Sequence, residues 1–231
     1  MAEQIATSIR DAIARGTILP GTRLFEVHLA REMGTSRAPV REALGHLERE
    51  GWLVKESNRG VRVLDLTEEK LREVASFRGV IEGFAASLAA EQLTANDFEK
   101  LESILAEMNH AARQGDYPHL VELDFEFHAF VCRGSRHQTL FEAWNGMAGK
   151  IRLYLSATNL MYQHLERISK GHAKVLEGLK SRDKAKACQA MIEHLDEMLE
   201  PFIARLVSSQ AQAHEQGSRA ANRRESNRLE E

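Results

Sequence analysis

Ile5, Ile9, Ala12 and Ile13 recur at helical intervals ahead of Gly16, a spacing that predicts an amphipathic helix over residues 3–15. The turn LPGTRL follows. Val27, Leu29, Ala30 and Met33 then mark a short second helix over residues 26–33, stopped at Gly34. A third helix opens after Thr35 and Ser36, keeps Val40, Ala43, Leu44 and Leu47 on one stripe, and ends at Gly51. There the apolar period changes from helical to alternating. WLVKE and VRVLD, separated by SNRG, predict a small hairpin.

From about Leu66 the alternation disappears. Helical patterns cover residues 67–91 and centre on 95–113, 117–133, 137–165, 167–180 and 183–207, with joints at QGDYP, CRGSR and KSRDK. The first opens at Thr67 with Glu68 and Glu69 in its first turn, where a cap and negative charge favour a helix N-terminus. No proline interrupts residues 119–200. The pattern predicts a mainly α protein: an N-terminal winged helix-turn-helix over residues 1–65, a joint over 66–72, a C-terminal antiparallel all-helical bundle over 73–209, and a fraying polar tail over 210–231.

Composition changes this picture little. The formal net charge of −3 neither demands nor excludes nucleic acid, although the front is the more basic part, with 10 Lys and Arg against 9 Asp and Glu in residues 1–65. No run approaches the ~18 apolar residues of a membrane span, and the N-terminus lacks the apolar core of a signal peptide. Cys132 and Cys188 stand far apart with no CxxC pattern, so a reduced, cytoplasmic protein with no membrane partner is expected.

Pro39 sits inside an otherwise good helix former and locates its start. With Ser36 as N-cap, Arg37, Ala38 and Pro39 take the first three helical positions, whose amide hydrogens have no intrahelical partner, so proline loses nothing there. Arg37 and Arg41 then project from the exposed N-terminal end, the end from which a recognition helix reaches base edges in the major groove. Arginine's planar fork matches guanine O6 and N7. The competing reading is a three-helix unit with surface arginines; the hairpin with Gly60 at its tip adds a wing and favours DNA.

The segment LPGTRLFEVHLAREMGTSRAPVREALGHLEREGWLVKESNRGVRV resembles the winged helix of the GntR transcriptional regulators, with a PG turn, an L-x-E-x-x-L-A helix, a recognition segment carrying S-R-x-P-V-R-E-A-L and a glycine-tipped wing. The resemblance implies that Arg37 and Arg41 read bases, that the Ser36 hydroxyl holds phosphate and that the wing around Gly60 enters the minor groove. It implies a dimer on an inverted-repeat operator of double-stranded DNA, acting as a repressor and associated with the nucleoid when bound. One departure is Val27, where some relatives carry a phosphate-contacting arginine.

Seven of the ten histidines fall between residues 110 and 194. Asp124 and His128 share a helical face; His172 lines up with Leu176 and Leu179, and His194 with Ala190, Met191 and Met198. All four should therefore face the bundle interior, where burial without partners would cost a few kcal/mol each. A divalent ion such as zinc, nickel or manganese would satisfy one carboxylate and three neutral imidazoles. Taken singly, an interior histidine is more often a hydrogen-bonded core residue than a metal ligand. His110, His119, His137 and His164 show no such alignment.

Residues 73–207 resemble the all-helical FCD effector domain of the FadR branch of the same family, and Asp124, His128, His172 and His194 match its metal-ligand positions one by one. The resemblance implies one divalent ion on the floor of a cavity that takes a small carboxylic acid, with Arg78 in FRGVIEGFAA as an effector contact. Arg152 in GKIRLYL is a second candidate. His137 stands where many relatives carry asparagine, which implies different polar contacts to the effector. Two other functions compete: a metal-dependent hydrolase, disfavoured because no H-E-x-x-H supplies a base, and a metal-stapled structural module.

Overall fold

Helix α1 (Ala2–Ala14) buries Ile5, Ile9 and Ile13 on one face, as their spacing predicts. Strand β1 (Arg23–Leu24) follows the PG turn, then come α2 (Glu26–Glu32) and α3 (Arg37–Arg49). Strands β2 (Leu53–Glu56) and β3 (Gly60–Val63) form the predicted hairpin, with Leu53 opposite Val63 and Glu56 opposite Gly60. The LPGTRL segment is more than a turn. Its last two residues pair with β3, giving a three-stranded antiparallel sheet in the order β1-β3-β2. Leu24, Leu29, Val40, Leu44, Leu47, Trp52 and Val63 close the core of this unit together with α1.

These elements come from a computed structural model, which describes residues 1–56, 60–65, 67–161, 165–200 and 203–204, and only the backbone of 157–161. The wing tip at 57–59 and the tail over 210–231 lie outside the described residues.

The body is helical. α4 (Glu68–Gln92) is capped by Thr67, whose hydroxyl accepts from the Lys70 amide. α5 (Ala95–Gln114) starts on a reciprocal Thr94–Asp97 capping box, and α6 (Tyr117–Gly134) on Asp116. The pattern over 137–165, read as one helix, is two: α7 (Gln138–Asn145) and α8 (Ala148–Met161). Gly146 and Gly149 weaken helix continuity there. The break brings Gly149 so near the winged helix that a β-carbon on it would lie 1.6 Å from the Glu50 carbonyl oxygen. α9 (Glu166–Lys180) and α10 (residues 184–200) complete the body.

α6 lies at the centre and packs against α4, α5, α7 and α8. One apolar cluster joins α4, α5, α6, α9 and α10, and a second joins α4, α6, α7 and α8. α8 serves both halves of the molecule. Its Ile151, Tyr154 and Leu155 belong to the body, while Leu153 is buried in the winged-helix core. No helix among the described residues is long and apolar enough to cross a membrane.

Candidate functional site

Arg78 and Glu82 of α4, Asp124 and His128 of α6, His172 of α9 and His194 of α10 are all buried and meet where these helices converge. The His172 Nδ1 lies 2.7 Å from the Ile168 carbonyl, which can only accept, so Nδ1 carries the ring proton and Nε2 turns inward. That Nε2 lies 3.1 Å from Asp124 Oδ1. His128 is arranged alike: Nδ1 is 2.7 Å from Glu82 Oε2 and Nε2 is 3.3 Å from the same Asp124 oxygen. His194 enters beside them because residue 171 is glycine, whose absent β-carbon would lie 2.6 Å from His194 Nδ1.

Burial alone would raise the Asp124 carboxyl, but His172 and His128 hold it well below its usual range. Burial likewise opposes ionisation of Glu82, yet Arg78 and His128 hold it at about 2. Burial pulls His128 down and Glu82 pulls it up, with a net rise. For His194, burial and then the charges of His172 and His128 act in one direction, well below the ordinary value, so its imidazole is neutral and its lone pair is available.

This donor set fits a divalent cation. One ligand atom from each of His128, His172 and His194 lies within 4.8 Å of the others, and Asp124 Oδ1 reaches two of the rings. His128 Nε2 and His194 Nδ1 are buried with no hydrogen bond, and a bound cation would give such unpartnered ring nitrogens a ligand role. The bond from His172 to Ile168 is the outer-shell contact that fixes a ligand's tautomer.

The space beside these donors is small. The cavity between Arg78, Asp124, His128, Tyr154, His194 and Met198 measures about 10 Å3, room for roughly one water or ion and not for an organic acid. Arg78 lines it but is already engaged: Nε and Nη2 donate to the two Glu82 oxygens at 2.6 and 3.2 Å, and Trp144 Nε1 donates to Glu82 Oε1 at 2.8 Å.

Arg152, expected in the cavity, lies outside it. Its Nε bonds Glu122 at 3.0 Å, its guanidinium lies over the Phe125 ring, and it lines a separate polar cleft of about 510 Å3 between body and winged helix. His137 does not reach the cavity either, because its Nδ1 accepts from the Leu140 amide and caps α7. Trp144 and Tyr154 are site residues that no motif in the sequence marks, and Glu82, one turn beyond Arg78, joins them. The signal for Glu82 was present: with Arg78 it continues the buried stripe of Leu71, Ala75, Ala85 and Ala89.

On the winged helix, α3 begins at Arg37 with Ser36 as N-cap, and Pro39 occupies the third helical position. The Ser36 side chain makes no capping bond. Arg37 and Arg41 are exposed at the start of α3, and both bond Glu26 at the start of α2: Arg41 Nε and Nη2 at 2.9 Å, Arg37 Nη2 at 3.1 Å. Gly60 opens β3 at the wing, with φ of 85°. Val27 is exposed.

The family model of the gntR family of bacterial regulatory proteins matches residues 1–63, and the FCD domain model matches residues 73–197. The chain belongs to the GntR family. It is a DNA-binding transcriptional regulator with an FCD body, not an enzyme. Among GntR relatives, the gluconate operon transcriptional repressor of Bacillus subtilis is 28% identical over 204 residues, 84% of this chain and 82% of its own. The repressor RspR of Escherichia coli is 27% identical over 201 residues, 86% and 87% of the two chains. The solved structure of E. coli McbR/YncC superposes with a TM-score of 0.70 at 23% identity, covering 89% of this chain and 98% of that one, a likeness of fold.

Proposed function

We propose that this GntR regulator is a repressor that binds an inverted-repeat operator as a dimer and senses a small carboxylic acid through a metal held by Asp124, His128, His172 and His194. The observation that carries the sensing half is the convergence of three imidazoles, two of them on Asp124, with buried ring nitrogens left unbonded. The ion would supply a positive centre for one effector oxygen. Arg78 is the second partner, and because the cavity is small and Glu82 already engages Arg78, the acid must displace part of the Arg78–Glu82 pair to enter. Relatives that are transcriptional repressors support the repressor reading.

DNA contact falls to Ser36, Arg37, Arg41 and the wing at Gly60, with Pro39 setting the start of the helix. Pairing of two chains follows from the small reach of one winged helix, since useful specificity needs two half-sites on a two-fold axis. The outer face of α4, where Val80 and Phe84 stand 73% and 50% exposed, is the apolar surface suited to a second copy. α8 is the route of coupling, because it lines the cavity with Tyr154 and enters the winged-helix core with Leu153.

Native mass spectrometry of the purified protein, with elemental analysis, tests this reading in one measurement. A dimer carrying one divalent ion per chain is expected. A metal-free protein would make the four residues a hydrogen-bonded polar network, and a metal that no small acid perturbs would make the site a structural staple.

A further inference from the structure

Two arginines four residues apart on an exposed helix face repel each other and have many rotamers, yet here one carboxylate holds both. Glu26 stands in the first turn of α2, 27% exposed, and takes Arg41 through Nε and Nη2 and Arg37 through Nη2. The bond from Arg41 above all, joined by that from Arg37, holds the carboxyl at about 2 against the opposing effect of burial. We infer that Glu26 is the positioning residue for base reading, holding both guanidiniums in the orientation from which they meet the major groove. The inference rests on the reading that Arg37 and Arg41 contact bases.

The donor geometry supports a scaffold rather than a lid. A guanidinium has five N–H groups in a rigid plane. Glu26 takes the Nε edge of Arg41, which leaves the terminal Nη1–Nη2 edge as a free fork, and it takes a single nitrogen of Arg37. The free edge is the one that can bond guanine O6 and N7 together. Glu26 also cancels one positive charge on a surface that must approach phosphates. It therefore weakens binding that depends on charge alone and favours binding that depends on shape.

The test uses full-length protein, a duplex selected by the wild type from a random pool, and a scrambled duplex of equal length, each titrated across a salt series. Glu26→Gln should cut the ratio of selected to scrambled affinity by roughly tenfold, the scale of a loosened bidentate contact, while the scrambled duplex binds more tightly and with a steeper salt slope. Glu26→Asp keeps the charge on a shorter arm. It should lose discrimination too, with scrambled binding unchanged.

Equal tightening on both duplexes by Glu26→Gln would make Glu26 a repelling charge and overturn the inference. So would wild-type discrimination in either variant, provided that Arg37→Ala and Arg41→Ala reduce it. If those two controls instead weaken both duplexes alike, the base-reading role of the arginines fails, and the inference with it. Stoichiometric titration fixes the active fraction of each variant, so a folding loss is not counted as lost discrimination.

Discussion

His172 is held at both ring nitrogens, by Ile168 and Asp124, and His128 stands with Nδ1 2.7 Å from Glu82 and Nε2 3.3 Å from Asp124. Ligands held this way lose little further freedom when an ion arrives, whereas the unfolded chain scatters them, so binding feeds directly into stability. Chelator should lower the melting temperature and added zinc, nickel or manganese should restore it; an ion at a hundred times its Kd contributes about 2.7 kcal/mol. His128→Ala or His172→Ala should abolish that response in a thermal-shift assay while DNA binding survives. On the other surface, replacing Arg37 or Arg41 with alanine should cost roughly 1–3 kcal/mol on the operator and relax base preference there, read by gel shift against a scrambled duplex. The Glu26 clasp does not titrate near neutrality: its depressed pKa makes its contribution complete above about 4.5, lost only as pH falls toward about 2. The Asp124–His128 pair was legible because four-residue spacing puts two side chains on one face whatever surrounds them. The commitment of Arg78 to Glu82 was not, since both an open and a closed cavity share that spacing.

α9 and α10 approach closely enough that a methyl group at residue 171 would press on the His194 ring, 2.6 Å from Nδ1. Gly171→Ala should therefore destabilise the protein by about 1–3 kcal/mol and weaken metal binding, because ring and helix must both shift. Melting curves with and without metal check this, and unchanged values in both would mean that the ring lies elsewhere. Most elements were readable from apolar spacing, caps and glycine stops, as in α1, α3 and the Thr67 start of α4. Two details were not. The two-residue strand Arg23–Leu24 is too short to show alternation and exists because β3 offers it an edge. The break between α7 and α8 hides inside a continuous helical pattern, and it is tertiary contact at Glu50 that explains why Gly149 stands there.

For the whole molecule, light scattering should find a dimer rather than a 26.0 kDa monomer at micromolar concentration. Substituting Val80 and Phe84 with charged residues should shift it toward monomer. If an acid acts through two arrangements of the DNA-binding units, linkage requires reciprocity: operator DNA must change the acid's affinity by the factor the acid changes DNA affinity. Calorimetric titration with and without operator measures both, and an acid that binds identically in each would be no effector. Leu153 bears on a different matter. It is 1% exposed and completes the core of the N-terminal unit from a helix nearly ninety residues further along the chain. A fragment ending at residue 65 would carry a hole where that side chain belongs. Exchange of N-terminal units between relatives must then preserve the fit to a foreign α8, so the piece that can be inherited or engineered as a whole is discontinuous, and no single cut in the gene releases it.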